Sequence, residues 1–177
     1  MAEFTPRLNS LGMVGNPYWY SRNPFYTAGY GLPNCTCYAW GRRYEITGKR
    51  PTLSLGNAET WYGYKDGYPR GNSPALGAVI CFADGPYSGL GHVAVVEKID
   101  KETGIVTFSN SAYRGRYFYT VSGTRASNYG YSAGYRFQGF IYLDDEPIPP
   151  PDPDPPGGGG GYDSEPMKFM FYLKKRL

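Results

Sequence analysis

The stretch PIPPPDPDPPGGGGG, residues 147–161, limits how much of this chain can fold into a compact unit. Seven of its first ten residues are proline and its last five are glycine, so it contributes almost no apolar side chains to a core. The proline part is typical of an extended spacer and the glycine part of a flexible one. We therefore predict a compact domain over residues 1–143, an acidic Pro/Gly-rich linker over 144–165 and a short tail over 166–177.

Charge differs between the predicted domain and the residues that follow it. Residues 1–143 hold 14 Lys+Arg and 8 Asp+Glu, a net charge of +6, whereas residues 144–177 hold 4 and 7, a net charge of −3. A basic domain suits an anionic polymer, or is simply a solvated surface with a small excess of cations. Cations do not alternate with stacking aromatics as they do in nucleic-acid binders, so we expect no nucleic-acid partner.

The tail combines a short apolar run with a basic end, in the sequence MKFMFYLKKRL. It is either a frayed terminus or a docking peptide for a partner protein or a membrane surface. No apolar run in the chain approaches the roughly 20 residues that span a bilayer, so we expect no transmembrane segment. The first 20 residues lack a basic start followed by an apolar core, so we expect no signal peptide and synthesis in the cytoplasm.

The first half of the predicted domain carries helix signals. Residues 34–47 are predicted to form a helix with Asn34 as N-cap and Gly48 as its end. Residues 57–65 are predicted to form a second helix, beginning after Asn57. The aromatic lead over residues 17–30 has no clear period and is interpreted as an irregular segment lying over the domain.

From residue 76 onward the signals are those of β-strands. Apolar runs rich in β-branched and aromatic residues alternate with turn sequences, and VEKIDKETGIVTFSN is typical of a hairpin. We expect an α+β fold in which N-terminal helices pack on an antiparallel sheet of about five or six strands. The predicted strands lie in LGAVICFA, HVAVVEKI, IVTFSNS, RYFYTVS and YRFQGFIYL.

Cys35 is the candidate nucleophile. The chain has three Cys and one His, too few for a disulfide framework or a structural zinc site, and we expect no metal or other cofactor. Cys35 falls at the first position of the predicted helix, where unpaired N–H groups and the helix dipole favour a thiolate and an oxyanion. Cys37 lies about 200° further round the helix and is predicted to fill the core.

His92 is the only imidazole that could act as a base for such a thiol. It follows Gly91 at the start of a strongly apolar strand, where a cleft can form at the sheet end. The predicted hairpin brings the end of the next strand beside it, so Asn110 is predicted to orient the imidazole. Ser109 and Ser111 are weaker candidates, because neighbouring residues of a strand point to opposite faces.

These segments, taken in order, resemble the CHAP domain (cysteine, histidine-dependent amidohydrolase/peptidase). The resemblance runs over residues 17–143 through NCTCYAW, GNAETW, PALGAVICF, GHVAVVE, VTFSNSAY and FQGFIYL. It implies a papain-like fold, with Cys35 as nucleophile and His92 as base. Many members have a Glu as third residue and an Asn two residues later; Asn110 and Ala112 stand at those positions here. Tyr30 is a possible oxyanion-hole counterpart, and Trp61 a possible cleft residue or core packing.

The resemblance also implies a function and partners. CHAP domains cut peptidoglycan, at the amide that joins sugar to stem peptide or within peptide cross-bridges. We expect a phage-type peptidoglycan hydrolase, associated with a virion or phage tail through its C-terminal tail, that acts at the host cell wall. The alternatives are a free endolysin, a bacterial wall amidase or toxin with the same chemistry, and a non-catalytic structural or binding module that keeps the fold.

Overall fold

The computed structural model describes residues 4–85 and 90–143, and these form helices followed by a sheet. Helices α1 and α2 span Pro24–Thr27 and Cys35–Thr47, and short 3₁₀ turns span Ala58–Thr60 and Arg125–Gly130. The expected α+β layout is confirmed. The strands are β1 Arg70–Gly71, β2 Val79–Asp84, β3 His92–Ile99, β4 Val106–Asn110, β5 Tyr119–Gly123 and β6 Tyr135–Ile141.

The six strands form one antiparallel sheet in the order β1-β6-β2-β3-β4-β5. Strand β3 lies in its middle and is buried on both faces, which explains its nearly continuous apolar sequence. Its Val93 and Val95 pack on the side of helix α2, and its Ala94 and Val96 pack in a second cluster on the opposite face. The predicted hairpin is β3–β4, with Val95 opposite Ser109.

Helix α2 has the boundaries that its caps predict. The Asn34 side chain accepts from the N–H groups of Thr36 and Cys37, and Gly48 ends the helix in the left-handed conformation at φ 66°. Cys35 is the first helical residue, and Cys37 is fully buried in the core, as predicted.

A buried ion pair fixes helix α2 to the central strand. The Arg42 guanidinium donates to both carboxylate oxygens of Glu97 on β3, at 2.9 and 2.8 Å. The Ser109 hydroxyl donates to the same carboxylate at 2.6 Å, and Glu97 is fully buried. This bidentate contact sets the position of the helix along β3, and therefore the position of Cys35 relative to His92.

The aromatic lead enters the core rather than lying over it, which differs from the prediction. Trp19 is fully buried and Phe25 is 6% exposed. Gly41 makes this possible, because a Cβ at that position of helix α2 would lie 2.4 Å from the Trp19 ring. The lead is also not wholly irregular, since Asn23 caps the single turn of α1.

The second predicted helix, residues 57–65, is wrong in length. Only the 3₁₀ turn Ala58–Thr60 forms, and the Asn57 side chain makes no capping bond. Beyond that turn, the Arg70 guanidinium donates to the carbonyl groups of Trp61 and Tyr62, at 3.2 and 2.7 Å. The Tyr64 N–H closes only a three-residue turn onto the Trp61 carbonyl, so no α-helical hydrogen bonds follow.

Two sequence predictions concern residues at the end of the chain. The linker over 144–165 and the tail over 166–177 both lie outside the described residues. Within residues 4–85 and 90–143, no helix has the length and apolar character needed to cross a bilayer.

Candidate active site

The start of helix α2 is tied to the end of strand β4. The Asn34 backbone N–H donates to the Ser111 hydroxyl at 3.0 Å, and Ser111 is fully buried just after β4. Helix α2 therefore begins beside the strand end that carries Asn110. This contact gives Ser111 a structural role at the start of helix α2. The sequence had suggested it as a weaker candidate for orienting His92.

The Cys35 sulfur lies at the start of strand β3. The backbone N–H of Val93, the residue after His92, lies close enough to the Cys35 sulfur to lower the pKa of the thiol. The N–H groups of Thr36 and of Cys35 itself also lie close enough to act on it. The fold thus brings the Cys35 thiol of helix α2 to the start of strand β3, the strand that begins with His92.

His92 occupies the first position of β3, and a glycine lets the chain reach it. Gly91 has φ +74°, and a Cβ there would lie 2.2 Å from the Phe82 carbonyl oxygen and 2.6 Å from the Glu59 nitrogen. Only glycine fits this close approach in the left-handed conformation. The Gly-His order seen in the sequence therefore has a direct structural cause.

Asn110 lies on the same face of the sheet as His92. Val95 pairs with Ser109, so the next residue, Asn110, lies opposite Ala94. His92, two residues before Ala94, is the diagonal neighbour of Asn110. The His92 Nε2 to Asn110 Oδ1 distance is 2.9 Å. The small side chain of Ala94 leaves room for this contact, and the sequence-predicted neighbourhood of His92 and Asn110 is observed.

The hydrogen bonds of Asn110 identify the tautomer of His92. The Asn110 Nδ2 group donates to the Phe108 carbonyl oxygen at 3.3 Å, and a carbonyl can only accept. The amide is therefore oriented with Oδ1 toward His92, so Nε2 carries the proton and donates. The remaining nitrogen, Nδ1, is left with a lone pair that can accept a proton.

Burial controls the protonation of both candidate groups. It raises the pKa of the Cys35 thiol above its ordinary value, and the N–H groups of Val93, Thr36 and Cys35 oppose this effect only in part. Burial also lowers the pKa of His92, which the hydrogen bond to Asn110 partly offsets. The sequence argument for a lowered thiol pKa is thus wrong for the resting site, which favours a neutral thiol and a neutral imidazole.

The two remaining candidates lie apart from this arrangement. Trp61 is fully buried, stacks at 6.3 Å on Phe25 and donates its indole N–H to the Gly56 carbonyl, so it is a core residue and not a wall of an open cleft. Tyr30 is 57% exposed. Within the part of the chain that the structure describes, no hydrogen bond joins its hydroxyl to Cys35 or His92.

Two tyrosines at the site had no sequence signal. Tyr131 donates its hydroxyl to Asn110 Oδ1 at 2.6 Å, and its ring centroid lies 5.6 Å from that of His92. Burial raises the pKa of Tyr119 to about 12, and the charge of a Cys35 thiolate adds to this effect. Both come from a Tyr- and Gly-rich region without periodicity, so only the tertiary fold reveals them.

The described residues hold no group of three or more His, Cys, Asp or Glu side chains that could bind a metal ion. The candidate reactive groups are the Cys35 thiol, the His92 imidazole and the Asn110 amide. These side chains are the candidate groups for nucleophilic and acid–base chemistry, and the thiol belongs to a helix that packs on an antiparallel sheet.

Comparison with known proteins identifies the family. Residues 25–112 match the family model described as CHAP domain, a stretch that includes Cys35, His92 and Asn110. The chain belongs to the CHAP domain family. The resemblance inferred from the sequence is confirmed.

Two curated relatives come from Staphylococcus aureus (strain NCTC 8325 / PS 47). The first is the probable autolysin SsaALP, 30% identical over 127 residues that make up 69% of this chain and 45% of the relative. The second is the probable autolysin LDP, 39% identical over 88 residues that make up 49% of this chain and 30% of the relative. The chain thus spans less than half the length of either relative.

A solved structure shows the same fold. The crystal structure of Ly7917 with the hydrolyzing product of MDP matches with a TM-score of 0.50 and 18% sequence identity, and covers 64% of this chain and 55% of that chain. At this identity the match supports the fold alone, which agrees with the α+β papain-like architecture.

Proposed function

We propose that this protein is a peptidoglycan hydrolase that cleaves an amide bond of the bacterial cell wall with Cys35 as nucleophile and His92 as base. The observation that carries the proposal is the position of the Cys35 sulfur near the backbone N–H of Val93, the residue after His92. Membership of the CHAP family and the similarity to two probable autolysins support a cell-wall substrate.

The first half of the reaction forms a thioester. His92 Nδ1 takes the thiol proton as the Cys35 sulfur attacks the amide carbonyl carbon, so a neutral pair becomes charged only during attack. The Cys35 backbone N–H at the start of helix α2 is placed to stabilise the oxyanion. The C–N bond then breaks, and the imidazolium gives its proton to the leaving amine.

The second half restores the enzyme. His92 Nδ1 removes a proton from water, and the resulting hydroxide attacks the thioester carbonyl. The C–S bond breaks, the acid product leaves, and the proton returns to the Cys35 sulfur. Asn110 holds the imidazole in the Nε2–H tautomer throughout, because its Oδ1 accepts from Nε2.

The test is the release of soluble fragments from purified cell walls. Cys35→Ala and Cys35→Ser should lower the rate at least 100-fold, because the nucleophile is lost. Cys37→Ala is the matched control, since this buried neighbour on the same helix should keep most of the activity. Wild-type-like cleavage by Cys35→Ala would overturn the proposal.

The bond that is cut is a finer part of the proposal. We propose either the amide between sugar and stem peptide or an amide within a peptide cross-bridge. Mass spectrometry of fragments from a defined peptidoglycan distinguishes them. Amidase action frees stem peptides from their sugars, whereas endopeptidase action leaves sugar-linked peptides with cut bridges.

We further propose that the protein is phage-encoded, is carried on a virion or tail, and acts at the host wall. The support is in the sequence, where a Pro/Gly-rich linker is followed by an apolar-basic tail. Deletion of residues 166–177 should release the protein from phage particles while wall cleavage continues. Unchanged particle association after the deletion would contradict a docking role for the tail, and the absence of any particle association would favour a free endolysin.

A further inference from the structure

Tyr131 lies next to the site, and the proposed mechanism gives it no role. Its hydroxyl lies 2.6 Å from Asn110 Oδ1, the same oxygen that lies 2.9 Å from His92 Nε2. It belongs to the segment between the 3₁₀ turn Arg125–Gly130 and strand β6, and so reaches the site from a part of the chain separate from β3 and β4.

Asn110 Oδ1 has two lone pairs, and two donors occupy them. One donor is His92 Nε2–H and the other is the Tyr131 hydroxyl. A flipped amide would instead turn Oδ1 toward the Phe108 carbonyl oxygen, and two acceptors would then face each other without a proton between them. The bond from Asn110 Nδ2 to Phe108 is long at 3.3 Å, so it restrains the amide only weakly without help.

The Tyr131 ring is held in place by its neighbours. It lies 4.6 Å from the Phe82 ring, 5.9 Å from Phe108 and 5.6 Å from His92. A ring fixed on these sides gives its hydroxyl a defined position. Burial, as the largest effect, also raises the pKa of Tyr131 well above its ordinary value, so the hydroxyl keeps its proton at any working pH.

We propose that Tyr131 is a positioning residue that holds the Asn110 amide with its oxygen toward His92, and thereby keeps the imidazole proton on Nε2 and the Nδ1 lone pair ready for Cys35. Tyr131 touches no reacting atom in this arrangement and acts through Asn110. The expected effect on kcat rests on the proposed function. The expected effect on the His92 tautomer does not, because the hydrogen bonds form whether or not the protein turns over a substrate.

The experiment uses the full chain labelled with ¹⁵N-histidine. Because the chain has one histidine, the two ring nitrogens of His92 give the only signals, and their long-range coupling patterns report which one is protonated. At neutral pH the wild type should show the Nε2–H tautomer. Tyr131→Phe should give a mixture of tautomers, and kcat on a soluble peptidoglycan fragment should fall about tenfold with KM unchanged.

Tyr142→Phe is the matched control. Its hydroxyl donates to the Ser73 carbonyl oxygen at 2.8 Å within the same buried aromatic cluster, at a place where no catalytic role is assigned. It removes a hydrogen-bonding tyrosine hydroxyl, as Tyr131→Phe does, but should leave the His92 tautomer and kcat unchanged.

A double-mutant cycle with Asn110→Ala separates positioning from general packing. If Tyr131 acts through Asn110, then Tyr131→Phe should have no further effect on kcat or the His92 signals once the amide is gone. Additive effects would overturn the proposal. So would an Nδ1–H tautomer in the wild type, a result that needs no variant, or a folded Tyr131→Phe protein with wild-type tautomer and kcat. Absence of turnover in the wild type would contradict the proposed function but would leave the tautomer test intact.

Discussion

His92 is the only histidine of the chain, so it is the one side chain whose ordinary pKa lies between pH 5 and 8. It is 6% exposed, and burial lowers its pKa. The mechanism needs a neutral imidazole. Because its pKa is lowered, His92 stays neutral to a lower pH than an exposed histidine does. We expect kcat/KM for wall-fragment cleavage to rise with pH with a midpoint below 6.5, and a midpoint above 7 would contradict it.

The same shift makes folding stability depend on pH. The unfolded chain binds a proton at His92 near pH 6.5, whereas the folded chain resists protonation until a lower pH, so acidification favours unfolding. Stability should be fully present above pH 6.5 and should decline as the pH falls through the lowered pKa of the folded state.

Melting temperatures from pH 7.5 to 5.5 measure this effect. His92→Gln is the control because its side chain does not titrate, and its melting temperature should fall less over the same interval. Equal declines in the two proteins would show that His92 is not the source of the pH dependence.

At the scale of elements, the buried pair of Arg42 and Glu97 connects helix α2 to strand β3. Arg42→Met removes the cation but leaves the Glu97 carboxylate buried without it, which should cost about 3–5 kcal/mol of unfolding free energy. Arg136→Met is the control, because the Arg136–Asp84 pair is 67% and 60% exposed and should contribute less than about 1 kcal/mol. Urea denaturation measures both values, and equal losses would contradict a special role for the buried pair.

The sequence correctly predicted the elements that are determined by residues close together in the chain. Helix α2 has its cap at Asn34 and its end at Gly48, and the β3–β4 hairpin has its turn between two apolar runs, so both could be deduced from nearby residues. The register of that hairpin was also enough to place Asn110 beside His92.

The wrong or missing predictions depend on contacts between distant segments. Where helix 57–65 was expected, Arg70 from outside that segment donates to the Tyr62 carbonyl, and Trp19 enters the core because Gly41 makes room for it. The pairing of Arg42 with Glu97 joins residues 55 positions apart, and no local pattern marks it. The rise in the pKa of Cys35 likewise comes from tertiary burial, which outweighs the helix N-terminus.

At the scale of the whole molecule, we predict that the compact domain ends at residue 143. Strand β6 lies between β1 and β2, and Tyr142, just beyond its end, is fully buried. A chain of residues 1–143 should therefore keep the melting temperature of the full chain. Its wall-cleaving rate should stay within about twofold of the full-chain rate. A chain of residues 1–134 lacks β6 and should not fold. A large loss of stability in the 1–143 chain would show that the domain extends further.

The three cysteine thiols of this protein differ in how far solvent reaches them. Cys35 is half-buried, while Cys37 and Cys81 are sealed in the core. A bulky maleimide should therefore add a single mass increment to each native chain, and three after denaturation. The amount of label per native chain would then count the molecules whose Cys35 thiol is intact. Because Cys37 and Cys81 are buried, a folded chain would offer a single thiol for intermolecular disulfides, so oxidation could link chains in pairs but not into larger networks.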